Sequence, residues 1–276
     1  MGCRLRRSWL MPCIVRFLLA KWLARDGLAR VRFLRRALFD KLVSTLEIGV
    51  IMSGFMSPAV GSGRVARQRA IGRAADSLPS FAEMRENLLQ CVADASSATE
   101  REGLGWYPAA HSIAADIASE HGLTVRQAAG VIAVLSPQTG WGANVVMAQR
   151  AAADGHAGNV GHYEDATAKA SRILAGEDPA DVLGGRKVRS FFTNICSPLK
   201  HGAVTIDRHA VDMLCGRRGA VKGRVLDRPG AYALCAAVVR SAARDLGLFP
   251  HDLQAVAWCS WRYAHDVAYR FDGESF

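Results

Sequence analysis

The chain has 276 residues, half of them apolar and 22% charged, a composition that can bury a sizeable core and excludes an intrinsically disordered protein. Its formal charge of +10 invites a nucleic-acid partner, but residues 1–51 carry 11 Lys/Arg against 3 Asp/Glu, leaving 24 against 22 for residues 52–276. The positive charge therefore sits in a basic N-terminal extension, and the globular part is close to neutral. Seven cysteines, at 3, 13, 91, 196, 215, 235 and 259, form no C-x-x-C pair and no ligand-like spacing with histidine. The sequence thus predicts neither a disulfide scaffold nor a metal site, calls for no cofactor, and suits a reducing cytoplasm.

Within residues 1–51, Arg or Lys interrupts every apolar stretch before a membrane span of ~20 residues is reached. Arg16 and Lys21 also break the apolar run that a secretory signal requires. Three readings stay open for this extension. It is a basic amphipathic helix lying on a membrane or on nucleic acid, an organelle-type presequence, or sequence translated from an upstream start, with Met52 or Met56 opening the ordinary chain. Residues 52–79 read as a flexible linker, and a single helical domain is expected over 80–276, to which residues 1–51 contribute few contacts.

From Ser80 onward the periodicity is helical. Ala110, Ile113, Ala114, Ile117 and Ala118 recur at three and four residues, with Pro108 suited to a first helical turn. Thr124 is an N-cap for a segment ending at Leu135 that is apolar on almost every side, the pattern of a helix at the centre of a bundle. Further helices are expected over 141–153, 166–174 and a short turn from Asp178-Pro179 to Leu183. Gly184-Gly185 then reverses the chain. Val188, Phe191, Phe192 and Ile195 mark the next helix face, closed by Ser197-Pro198. Asp207 opens a short helix to Leu214, and two more are expected at about 230–246 and 252–268, the last with Leu253, Val256, Ala257, Trp261 and Ala264 inward. Only Ala203–Ile206 has strand character, too little for a sheet. The fold class is therefore all-α, an orthogonally packed helical bundle of at least six helices between 80 and 270.

Chemistry-bearing residues concentrate in two places. One is the polar turn Leu135-Ser136-Pro137-Gln138-Thr139-Gly140-Trp141, followed by Asn144. The other is Gly184-Gly185-Arg186-Lys187 and, some twenty residues on, Ile206-Asp207-Arg208-His209. Together they resemble the helix-hairpin-helix superfamily of DNA base-excision glycosylases, the endonuclease III-like proteins. There a buried helix reading I-A-V-L ends in L-S-x-Q-x-T with an Asn on the next helix. A G-x-G-R-K hairpin follows, and V-D-T-H opens a later helix. The resemblance covers about 130–215 in the same order. A phage branch of the fold, acting on modified thymines during hypermodification of viral DNA, matches equally well. The hairpin departs from the family pattern: Leu183-Gly184-Gly185 is shorter than Leu-Pro-Gly-x-Gly and lacks its proline.

The resemblance implies a flipped base in double-stranded DNA as substrate and Asp207 as the carboxylate that stabilises the cationic sugar and activates the attacking group. As an N-cap, Asp207 also faces the positive end of its helix. It implies that Lys187 is the Schiff-base amine of a bifunctional member, with a phosphate contact as its other reading. Gln138 would fill the duplex gap, with Trp141 stacking beside it or packing in the core, and Asn144 nearby. Gly184 and Gly185 would approach a phosphate; Arg186, Arg189 and Lys200, clustered around the hairpin, suit phosphate too or form a scattered basic surface. Arg208 is secondary, and His209 reads as a structural hydrogen-bonder. Trp258, Trp261 and Arg262 read as core and rim. A scaffold that binds DNA without chemistry, and a lyase or transferase of hypermodified thymine, remain alternatives. No membrane contact and no obligate protein partner are expected. Gln138, Asn144, Lys187 and Asp207 should line one cleft.

Overall fold

A computed structural model describes residues 78–200, 202–220 and 225–265. The extension 1–51 and nearly all of the expected linker lie outside them. Among the described residues there are ten α-helices, one short 3-10 turn and no strand, so the chain is all-α.

Local signals explain most helix boundaries. Helix α1 (Phe81–Ala93) starts at a capping box between Ser80 and Glu83, two otherwise orphaned N–H groups being satisfied reciprocally. Helix α2 (Ser97–His121) is capped by Ser96 and ends at Gly122, whose φ of 65° suits a glycine. Pro108 lies inside α2 rather than at a helix start. The carbonyl that loses its partner belongs to Leu104, on the exposed side of the helix, while Trp106, Tyr107 and Ala110 are buried on the other side. Burial on both sides of the proline holds one continuous helix.

Helix α3 (Val125–Leu135), opened by a Thr124–Gln127 capping box, buries every residue from Ala128 to Leu135. Helices α4 (Trp141–Asp154), α5 (Glu164–Leu174), α6 (Pro179–Val182) and α7 (Arg186–Cys196) follow. With α2 and α3 they enclose one apolar cluster around Ile132, Leu135, Ile173, Leu183 and Ile195. Asp178 caps α6 through Ala180 N–H (2.7 Å) and holds Arg126 of α3 through two hydrogen bonds. Gly185 takes φ 70°, ψ 143° at the start of α7, a region closed to side-chain-bearing residues.

Helices α8 (Arg208–Leu214), α9 (Ala231–Leu246) and α10 (Pro250–Ala264) pack with α1 around a second cluster that includes Met84, Leu88, Ile206, Met213, Leu214 and Leu253. Leu78 is already buried there, so the folded part begins inside the expected linker. Helix α10 ends earlier than expected and Ala264 is exposed. Residues 266–268 of that expectation lie outside the described part. Helices α2 and α10 join the clusters, and Gly103 is where they touch: a Cβ there would stand 2.4 Å from Val256 Cα. The segment 203–206 is extended but unpaired. Its backbone bonds go to side chains, Ala203 C=O to Asn194 Nδ2 (3.0 Å) and Val204 C=O to the Tyr232 hydroxyl (2.7 Å), which also accepts Ile206 N–H (3.2 Å).

Candidate functional site

A cleft of 1420 Å³ opens between the elements that carry the two motifs. The α3–α4 turn contributes Gln138 and Trp141, with Asn144 one turn into α4. Helix α7 gives Lys187 and Phe191, and the start of α8 gives Asp207, Arg208 and His209. All four residues expected to converge therefore line one cleft. A smaller recess of 510 Å³ adjoins it and shares Lys187, Asp207 and Arg208, adding Gly185, Arg186 and Arg228.

Asp207 is half-buried with both carboxylate oxygens engaged. Oδ1 accepts Ala210 N–H at 2.7 Å, the N-cap bond of α8, and Oδ2 accepts Trp258 Nε1–H at 3.4 Å. Its backbone follows Ile206, which is fixed by Tyr232, so the carboxylate stands on a rigid support although no strand holds it. Lys187, Arg208 and Arg262 line the same cleft as Asp207. Burial pushes the His209 ring below its ordinary 6.5, against the pull of Asp207. The ring makes no hydrogen bond within the described residues, which corrects its reading as a structural hydrogen-bonder. The α8 turn points it into the cleft instead.

The cleft floor is aromatic. Trp106 stands 5.0 Å from Trp141, 5.6 Å from Phe191 and 6.5 Å from Trp258, ring centre to ring centre. Trp141 thus both packs and lines the cleft. Behind it, Tyr107 donates to Thr205 Oγ1 at 3.0 Å, and burial pushes its phenol up to about 12, so it stays a donor. Gln138 is the one non-glycine with positive φ among the described residues, at 59°, a left-handed backbone that costs ~1–2 kcal/mol and is concentrated at functional turns. Its Oε1 accepts the Tyr163 hydroxyl at 2.8 Å.

The expected phosphate contacts divide. Gly185 and Arg186 line the smaller recess. Arg189 spends its Nε on Leu183 C=O (2.7 Å), closing the hairpin between α6 and α7, and it lines neither cavity. Gly184 and Lys200 are exposed but also lie outside both. The correction in the other direction concerns α10. Gln254, Trp258 and Arg262 recur at i, i+4 and i+8 along one face and line the cleft, with the Arg262 guanidinium 4.5 Å over the Trp258 ring. Of the residues read as core and rim, only Trp261 is buried in the core. A polar–aromatic–basic stripe at helical spacing was the signal available in the sequence, and the Trp106-Tyr107 doublet carried no such signal.

Among the described residues no group of His, Cys, Asp and Glu could hold a metal ion, and the five described cysteines are free thiols. No helix there is long and apolar enough to cross a membrane. Residues 73–265 match the model of a family of unknown function, DUF7178, and the chain belongs to that family. No curated protein and no solved structure matches it.

Proposed function

We propose that this protein acts on a damaged or modified base in double-stranded DNA, cleaving or processing its N-glycosidic bond on a fold of the helix-hairpin-helix glycosylase type, with Asp207 as the catalytic carboxylate. The observation that carries the reading is the open aromatic cleft beside Asp207. A base taken out of the duplex needs flat apolar faces to replace the stacking it loses, and Trp106, Trp141 and Trp258 supply them. As the C1′–N bond breaks, its electron pair leaves with the base and positive charge grows on the deoxyribose. A carboxylate held in place before the reaction stabilises that charge without reorganising. Water then adds to C1′ and gives its proton to Asp207. Lys187, in the same cleft, is the amine that would replace water in a lyase. Arg208 and Arg262 at the cleft, with Arg186 and Arg228 in the adjoining recess, suit the flanking phosphates.

The open space beside Asp207 weighs against a scaffold that only binds DNA. The size of the cleft favours one second reading. At 1420 Å³ it exceeds the ~300–1,000 Å³ common for small-molecule pockets, which leaves room for a second reactant and suits a lyase or transferase acting on a hypermodified thymine. The test is incubation with duplexes carrying damaged or modified bases, with mass analysis of both products and a parallel borohydride trap. Free base would support glycosidic cleavage, and a base changed but still attached would support the second reading. No Asp207-dependent product from any duplex would refute both.

A further inference from the structure

Two primary amides stand in the cleft wall with one end sealed and the other bare. Asn144 is 1% exposed and Gln254 5%, and their oxygens, Asn144 Oδ1 and Gln254 Oε1, are sealed off without a hydrogen-bond partner. The amide nitrogens make no hydrogen bond among the described residues either. They are the exposed atoms of these two side chains, and both residues line the cleft. A sealed acceptor without a partner destabilises the free protein, whereas an apolar group of the same shape would not. The chain nevertheless carries an amide at both places, on two different helices. What each amide offers is its open end, an N–H2 group at the cleft with donors and no acceptor to meet them. The molecule that completes this wall brings acceptors.

The surroundings narrow the acceptor. Asn144 follows Trp141 by three residues on α4, and Gln254 precedes Trp258 by four on α10, spacings that put two side chains on one helix face. Each N–H2 group thus belongs to the helix face of a tryptophan that stands against Trp106, at 5.0 and 6.5 Å between ring centres. These rings favour a flat heteroaromatic, whose acceptors lie in its own plane, at the edge. On a nucleobase the edge acceptors are carbonyl oxygens, with two lone pairs each, and ring nitrogens, with one. Lys187, Arg208 and Arg262 line the same cleft and favour the edge richer in electrons, that of the carbonyls. Guanine, thymine, uracil and cytosine carry such oxygens, and adenine carries none. We propose that Asn144 and Gln254 are specificity-determining residues for a carbonyl-bearing base, whose oxygens accept from the two amide N–H2 groups. The assignment rests on the base-acting reading above and adds the class of base to it.

The experiment compares, by fluorescence anisotropy on the full chain, duplexes whose central nucleotide faces an abasic site and so leaves the stack easily. Guanine is set against 2-aminopurine, hypoxanthine against purine and uracil against 2-pyrimidinone, with a doubly abasic duplex as reference. Within each pair the second base lacks one carbonyl oxygen and the neighbouring ring proton. At least one carbonyl-bearing base should bind about tenfold or more tightly than its partner, the scale of one hydrogen bond in a site closed to water. The double variant Asn144→Leu, Gln254→Met should shrink that ratio to about twofold or less. It should also melt at or above the parent temperature, because apolar side chains of similar shape replace two orphaned oxygens. Partners that bind equally well, but more tightly than the abasic duplex, would overturn the carbonyl assignment and leave the base-acting reading standing. A ratio that persists in the double variant would overturn it as well, since another group would then read the oxygen. A double variant that melts several degrees lower would assign the amides to structure and overturn it too. Equal binding of every duplex, the abasic one included, would overturn both.

Discussion

Replacing Asp207 with asparagine separates the chemical role of this side chain from its structural one. The structural role is small and can be worked out bond by bond. Oδ1 accepts Ala210 N–H at 2.7 Å, and asparagine is as good an N-cap acceptor as aspartate, so this bond survives. Oδ2 accepts Trp258 Nε1–H at 3.4 Å, a long contact at the weak end of the range. An asparagine NH2 there would face a second donor and lose at most ~1 kcal/mol. For a domain of this size that is a fall of about 2–4 °C in melting temperature. The chemical effect should be far larger. If the carboxylate stabilises a developing cation and takes the proton of the attacking water, its loss removes ~3 kcal/mol or more of transition-state stabilisation, ~10²-fold in rate. Single-turnover base release, measured beside thermal melting and duplex affinity, reads both numbers on one preparation. Asp207→Asn with parental melting, parental affinity and parental turnover would leave Asp207 a helix cap and nothing more.

Three other outcomes are expected. Lys187→Ala should abolish the borohydride-trapped adduct while retaining base release if Lys187 is the Schiff-base amine; a salt slope of binding shallower by about 1, with no adduct in the parent, would assign it to a phosphate instead. Gly103→Ala puts a Cβ 2.4 Å from Val256 Cα and 2.6 Å from its N, backbone that cannot move aside as a flexible side chain can, so a loss of about 1–3 kcal/mol is expected, and an unchanged melting temperature would show that α2 and α10 do not meet there. The His209 ring is held below its ordinary 6.5 by burial, so the unfolded chain takes up its proton first as pH falls; the stability linked to this ring is complete above about 6.5 and is lost as pH drops toward the lowered folded value. His209→Gln should therefore flatten the fall in melting temperature between about pH 7.5 and 5, and parallel curves for the two proteins would refute the shift.

Residues whose environment is local could be read from the sequence. Thr124, Asp178 and Asp207 act as N-caps because a short polar side chain ahead of an apolar helix has one low-energy use, and Gly185 takes the positive φ that two adjacent glycines suggested. Pro108 suits a first helical turn because a proline is well tolerated there, yet it lies inside α2. The opposing fact, burial of Trp106 and Tyr107 against other helices, is tertiary. The same distinction hid half of the cleft. Trp258 and Trp261 are three residues apart on α10 and equally apolar, and only the packing of α2 and α8 decides that one faces the cleft and the other the core. Gln254 sits in an apolar stretch as one polar letter, and its place in the cleft wall is set by packing that no sequence displays. Arg189 was counted with the phosphate contacts for its charge, while its position six residues after Leu183 lets it close the hairpin.

The support beneath Asp207 also has a consequence for motion. A strand at a sheet edge can peel away residue by residue, because each ladder bond opens separately. The segment 203–206 has no such route. Val204 C=O and Ile206 N–H share one phenol, that of Tyr232 on α9, with Ser190 Oγ of α7 a further 3.2 Å from it. Moving that phenol therefore breaks its contacts with Val204, Ile206 and Ser190 together, which couples local opening of the segment to movement of the start of α9 against α7. The Ile206 amide should exchange its hydrogen with solvent about as slowly as the buried amides of α9, although no secondary structure includes it. Asp207 thus combines a carboxylate at the cleft with a backbone that follows a residue held by the Tyr232 phenol.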